Sequence, residues 1–177
     1  MTGGNRPNLK DMTFPPIVSK QIGVTTLLAS AVLVGVTILL LFLAYKCRDR
    51  APVRYILLVN GILPLLLLFG STAFRIRSYE ITSDQLVIHL GLGSKNFPLS
   101  GLQNAQIVER PFAGARRTMG IGGLWSMYGL FQSSQHGAFS AYAATTASGV
   151  MLTWPSKKVL IAPDNPSLFV QSVKPAK

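Results

Sequence analysis

Residues 22–45 read IGVTTLLASAVLVGVTILLLFLAY, twenty-four positions without a charge. At about 1.5 Å per residue, a helix of that length spans about 36 Å. A bilayer's hydrocarbon core is roughly 30 Å thick, so the segment is expected to cross a membrane with some tilt. Lys20 and Lys46 bracket it, and Tyr45 suits the headgroup region. A cleaved signal peptide would carry an apolar core of about 7–15 residues and a small-residue cleavage site. This run is longer, and Tyr45-Lys46-Cys47-Arg48 offers no such site.

A second uncharged run follows, from Tyr55 to Phe74. Asn60, Gly61 and Pro64 interrupt it. Pro64 removes one helical hydrogen bond and predicts a kink near residues 60–64. Asn60 is expected to reach across to Thr25, Thr26, Ser30 or Thr37 of the first helix. A polar substrate site is the competing reading. The lack of any ionisable residue in either run favours intramembrane packing for Asn60 and Pro64.

The nine residues from Lys46 to Arg54 are too few for anything but an antiparallel hairpin. Both ends of the chain then lie on one side of the membrane. The loop holds Lys46, Arg48, Arg50 and Arg54; the other side holds Arg6, Lys10, Lys20, Arg75 and Arg77. Charge density favours a cytoplasmic loop, and the total favours cytoplasmic termini. The two counts nearly cancel. A cytoplasmic domain is the orientation carried forward.

Composition agrees with this division. Hydrophobic residues make up 49% of the chain and charged residues 13%, about half the share of a soluble domain. The net charge of +11 is concentrated at the ends of the two apolar runs, so topology rather than nucleic acid accounts for much of it. Cys47 is the single cysteine, which excludes an intrachain disulfide and any Cys/His metal spacing.

Beyond residue 78 the texture becomes short runs between turns. Residues 79–82, 85–90, 95–99 and 104–109 read as strands. Leu86, Ile88 and Leu90 fall on one face of the second of these, Val87 and His89 on the other. Pro98 suits an edge. A long connection covers 110–123. Strands follow at 128–133, 138–145, 150–154 and 157–162. Asn165-Pro166 then signals a helix start, with Leu168, Phe169 and Val173 in one apolar sector. These eight short runs, taken as about seven strands, and one helix predict a small barrel or sandwich plugged at one end.

The order of these motifs resembles the bacterial pleckstrin-homology (PH-like) domain family, in its membrane-anchored form. The matching pieces are YEIT at 79–82 with QLVI at 85–88, PL at 98–99, and GIGGLW at 120–125 with YGLF at 128–131. GAF at 137–139, AYA at 141–143, VLIAPDNP at 159–166 and FV at 169–170 complete them. The resemblance covers residues 78–174. It implies a PH-like barrel. Joined to the two apolar runs, this predicts an α+β membrane protein: an N-terminal tail (1–21), a two-helix transmembrane hairpin (22–45 and 55–74, loop 46–54), then a seven-stranded PH-like barrel or sandwich with one C-terminal helix. The expected setting is a bacterial plasma (inner) membrane, crossed twice. The resemblance itself covers the domain alone. It supplies no activity, cofactor or defined ligand.

The glycine block at 120–123 lacks the Lys-Ser/Thr of a P-loop and the βαβ setting of a dinucleotide site. Tight turns and close backbone approach explain it better. The connection after residue 109 combines Arg110, Phe112, Arg116, Arg117 and Met119, a basic and apolar set suited to anionic lipid or a protein partner. An ordinary solvated loop is the plainer alternative. Asp84 and Asp164 fit turn and capping roles, and spacing pairs no nucleophile with His89 or His136. The sequence thus predicts a non-catalytic adaptor or scaffold at the membrane, with no nucleic acid, cofactor or metal. Its partners are the bilayer and an unidentified protein. An accessory subunit of a membrane transport or envelope complex is the alternative, and a membrane-bound enzyme a more distant one.

Overall fold

The computed structural model describes residues 12–47, 49–122 and 124–173. Arg6, Lys10, Arg48, Gly123 and the domain end at residue 174 lie outside these. The element order is β1 (Met12–Phe14), α1 (Lys20–Lys46), α2 (Ala51–Thr72), then β2 (Ile76–Ile81), β3 (Gln85–Leu90) and β4 (Ser94–Pro98). Next come β5 (Asn104–Glu109), β6 (Arg116–Gly122), β7 (Met127–Ser133), β8 (Gly137–Ala143), β9 (Ser148–Thr153), β10 (Lys158–Ile161) and α3 (Pro166–Val173).

The two apolar runs form an antiparallel helical hairpin. Ser19 caps α1 by accepting a hydrogen bond from the Ile22 N–H at 3.1 Å. Each helix runs past its uncharged stretch, so the connection shrinks from nine residues to Cys47–Arg50. Charge sets where a segment leaves lipid; it does not end a helix. Pro52 sits in the first turn of α2, where its missing N–H is harmless. Only 11% and 6% of the most apolar windows of α1 and α2 are buried, so these are not core helices of a soluble fold. The helices meet at Gly61, where an added Cβ would stand 3.4 Å from Leu41 Cδ2.

Asn60 departs from expectation. It is exposed on α2, and its amide donates to Ile56 O of the same helix at 2.8 Å. Thr37 likewise turns its hydroxyl back to Leu33 O. In an apolar setting the nearest backbone carbonyl satisfies a side-chain donor without a cross-helix partner. Pro64 lies inside α2, which continues through it.

The domain is two sheets, ordered β1-β2-β3-β4 and β5-β9-β10-β8-β7-β6. Among the described residues it has ten strands rather than about seven. β1 comes from what reads as an N-terminal tail, and pairs antiparallel with β2, Phe14 opposite Tyr79. β6 occupies part of the expected connection. β10 runs parallel to β8 because β9 reverses the chain and pairs on β10's other side.

The main core lies between the sheets. Tyr79, Leu86, Ile88, Val150, Leu152, Val159, Ile161 and Phe169 are its fully buried members. Phe14 of β1 meets Phe169 of α3 edge-on at 5.2 Å. Asn165 caps α3 as expected, its Oδ1 accepting from the Leu168 N–H at 3.0 Å. Leu168 itself is turned outward, 40% exposed. Met151 and Leu160 alternate with these core positions and therefore face away, into a second cluster with Val108, Phe131, Phe139 and Ala141.

Tyr79 ties the sheets together. Its hydroxyl donates to Tyr142 O at 2.7 Å and accepts from the Ala162 N–H at 3.2 Å. Burial pushes its phenol well above the ordinary tyrosine range, against a smaller lowering by the Ala162 hydrogen bond. Burial also raises Tyr142, helped by the neighbouring Tyr128.

Candidate functional site at the domain–hairpin junction

The chain enters α1 directly from the domain. Ile17 N–H donates to Ala162 O and Ser19 N–H to Ala144 O, both at 3.0 Å, so residues 15–19 are laced to the six-stranded sheet and its loops. At the end of α2, Leu92 N–H donates to Ala73 O at 3.0 Å. Gly91 sits so close to that helix end that a Cβ would lie 1.9 Å from Thr72 O. The Leu92 side chain, at the tip of the β3–β4 turn, is 80% exposed.

Trp125 joins all three parts. Its backbone N–H donates to Thr26 Oγ1 of α1 at 3.1 Å, and its indole N–H donates to Ser71 Oγ of α2 at 3.0 Å. Thr26 in turn donates to Ile22 O and Ser71 to Leu68 O, so each hydroxyl gives one bond and takes one from Trp125. The Arg75 guanidinium lies over the indole, 5.4 Å from the ring centre. Ser126 adds a bond from its hydroxyl to Phe74 O at 2.9 Å. Trp125 has a φ of 65°, a conformation costing a non-glycine residue about 1–3 kcal/mol and held by these contacts.

The glycine block delivers Trp125 to this position. Gly120 and Gly129 are register partners on β6 and β7, with φ of 113° and 136°. A Cβ on Gly129 would fall 2.1 Å from Met119 O, and one on Gly120 would fall 2.2 Å from Tyr128 O. The backbones approach too closely there for any side chain. The phosphate-loop alternative finds no support in this geometry.

Beside Trp125 opens a cleft of about 1000 Å³. Ile22, Thr26, Leu27 and Ser30 of α1 form one wall, and Arg75 and Arg77 line the side toward the domain. Among the described residues lining it none is acidic.

The residues singled out in the sequence fall elsewhere. Arg110 begins a tight turn with φ of 47°. Phe112 is not a free contact residue: it packs edge-on against Phe131 at 5.1 Å and near Phe139, covering the second core cluster. Arg116, Arg117 and Met119 lie on β6, the edge strand of the large sheet, and all are exposed. A bulge between Arg117 and Met119 interrupts their register. Arg116 is about 20 Å along the strand from Gly122, which leads into the junction. The structure therefore groups Arg116, Arg117 and Met119 and separates Phe112 from them. His89 does meet an acid, its Nε2 lying 2.7 Å from Glu80 Oε2, but on the open face of β2 and β3 with both side chains partly exposed. Neither lines the cleft. Thr26, Ser71, Ser126 and Trp125 as a joint were not legible in any local motif. A tryptophan in a glycine block and hydroxyls level with each other in an antiparallel hairpin were the available signals.

Two sheets around a core, closed by a C-terminal helix and carried on an apolar helical hairpin, define a membrane-anchored module of PH type. The chain belongs to the bacterial PH domain family, whose match covers residues 77–176, more than half of its length. No curated protein and no solved structure matches it.

Proposed function

We propose that this chain is a non-catalytic binding module fixed to the bacterial plasma membrane, acting there as an adaptor for protein and anionic lipid. The observation that carries this reading is the Trp125 joint, which bonds one domain residue to both helices of the hairpin. A flexible tether would only localise the domain. A hydrogen-bonded joint also sets its height and tilt over the leaflet, so the same faces meet the bilayer and the solvent at all times. Local concentration at the membrane then lets weak contacts be occupied. The exposed Arg116, Arg117 and Met119 on the β6 edge are the surface offered to a protein partner, with Arg110 at the neighbouring turn.

A second reading, an accessory subunit of a membrane complex, draws on Asn60. A polar side chain on the outer surface of α2 is available to another membrane helix, and Gly23 and Gly35 have open space at their Cβ positions.

Cys47 lies in the hairpin connection and Ser156 in an exposed turn of the domain. Intact cells are treated with a membrane-impermeant thiol reagent, using the natural protein and a Cys47→Ser, Ser156→Cys variant. Labelling of Cys47 alone is expected, placing the domain in the cytoplasm. Labelling only at 156 reverses the orientation. Equal access of the two positions means that the hairpin does not span, and the proposal fails.

A further inference from the structure

We propose that the junctional cleft holds one anionic phospholipid from the surrounding leaflet, its phosphate between Arg75 and Arg77 and an acyl chain along α1. This rests on the anchored reading above and names a ligand for the junction, away from the β6 edge.

The height of the cleft argues first. Trp125 bonds Thr26 and Ser71 at once, so these two residues stand level in the hairpin. Thr26 is about 9 Å along α1 from Lys20, and Ser30 about 6 Å further. The cleft therefore begins where α2 ends and runs into the apolar part of the hairpin. Its mouth lies at headgroup level and its inner wall at acyl level.

Its chemistry changes along the same direction. Arg75 and Arg77 supply two positive charges at the domain end, and none of the described residues lining the cleft is acidic. Among the described residues neither arginine has a carboxylate within ion-pair distance; the nearest acid in sequence, Glu80, is taken by His89. Arg75 is held over the Trp125 ring, which fixes its position without neutralising it. Toward the other end the wall becomes Leu27 and Ser30, and Leu27 is 69% exposed on a helix face that continues as lipid-facing surface. A volume of about 1000 Å³ is at the upper end for ligand clefts, about 300–1,000 Å³.

An occupant must be anionic at one end and apolar at the other. A free phosphate would meet the arginines and leave the α1 wall empty. A neutral lipid would fill the wall and leave two unpaired cations. A phospholipid with net negative charge satisfies both, and arginine suits the bidentate recognition of its phosphate.

Trp125 borders the cleft and reports on it. The full chain is reconstituted into vesicles of phosphatidylglycerol and phosphatidylcholine, with dibrominated acyl chains on one lipid or the other. Quenching of tryptophan emission then gives the relative affinity at Trp125. Trp154, buried in the domain core, contributes an even background. The expected preference for phosphatidylglycerol is on the order of tenfold, as two basic contacts at such a surface would give. It should fall to near one in Arg75→Gln/Arg77→Gln, persist in Arg75→Lys/Arg77→Lys, and be unchanged in Arg116→Gln/Arg117→Gln. Millimolar glycerol phosphate should leave it unaffected. Equal quenching by the two lipids in the natural protein overturns the inference while leaving the anchor standing. So does a preference that survives Arg75→Gln/Arg77→Gln, or one that glycerol phosphate abolishes. No quenching by either lipid removes the anchored reading as well.

Discussion

Trp125 and Ser71, 54 positions apart in the chain, meet in a 3.0 Å hydrogen bond between an indole N–H and a buried hydroxyl. Ser71 is 5% exposed, so the bond is shielded from competing water. Replacing Trp125 with Phe keeps an aromatic ring beneath Arg75 and deletes that donor. The expected cost is about 1 kcal/mol. It should appear as faster hydrogen exchange at residues 71–74 and 125–127, with the strand cores of the domain unchanged.

Glycines with positive φ are not equivalent here. Gly129→Ala would place a Cβ 2.1 Å from Met119 O, against backbone. Gly93→Ala has the same sign of φ, 83°, but meets open space. The first should lower stability by several kcal/mol or prevent folding, the second by about 1 kcal/mol. Thermal unfolding of the two full-length variants in one detergent separates steric exclusion from torsional strain.

Phe112 and Met119 were grouped by sequence and are divided by structure. Phe112→Ala opens the second core cluster and should cost about 2–3 kcal/mol, below the value for a fully buried ring. Met119 is 69% exposed, and its replacement by Ala should change stability by less than about 0.5 kcal/mol. Denaturant midpoints measured side by side check the contrast.

Alkaline stability should depend on Tyr79. Its phenol is raised above the ordinary value of 10.0 by burial. The folded state therefore keeps its proton after the unfolded state has lost one. The stabilisation is complete below pH 10 and declines as pH rises beyond it, by at most about 1.4 kcal/mol per pH unit for this one group. Tyr79→Phe should be less stable at neutral pH, because Ala162 N–H and Tyr142 O lose their partner, yet show a shallower decline above pH 10. Unfolding midpoints from pH 8 to 11 give both numbers.

Local pattern carried the helices, the β2–β3 alternation and the Asn165 cap, because each is decided by residues within a few positions. β1 was missed because three residues followed by Pro15 and Pro16 carry no periodic signal, and their partner lies beyond both helices. β6 was missed for a different reason. An edge strand bearing Arg116 and Arg117 need not alternate, since neither of those side chains enters a core. The junction was the least legible part. Thr26, Ser71 and Trp125 are unremarkable within their own segments, and only the folded chain brings them together.

Because β1 precedes α1 and β2 follows α2, the whole hairpin is an insertion between two neighbouring strands of one sheet. On the ribosome, β1 must wait for both helices to be made before its partner exists. Synthesis of both helices thus comes before closure of the domain. A fragment begun at residue 75 would lack Phe14, leave Phe169 uncovered and expose the free edge of Ile76–Ile81. Residues 12–19 joined by a short flexible linker to residues 75–177 should restore that edge. The better-folded soluble form of this protein is therefore one with the anchor excised from within, rather than cut from the end.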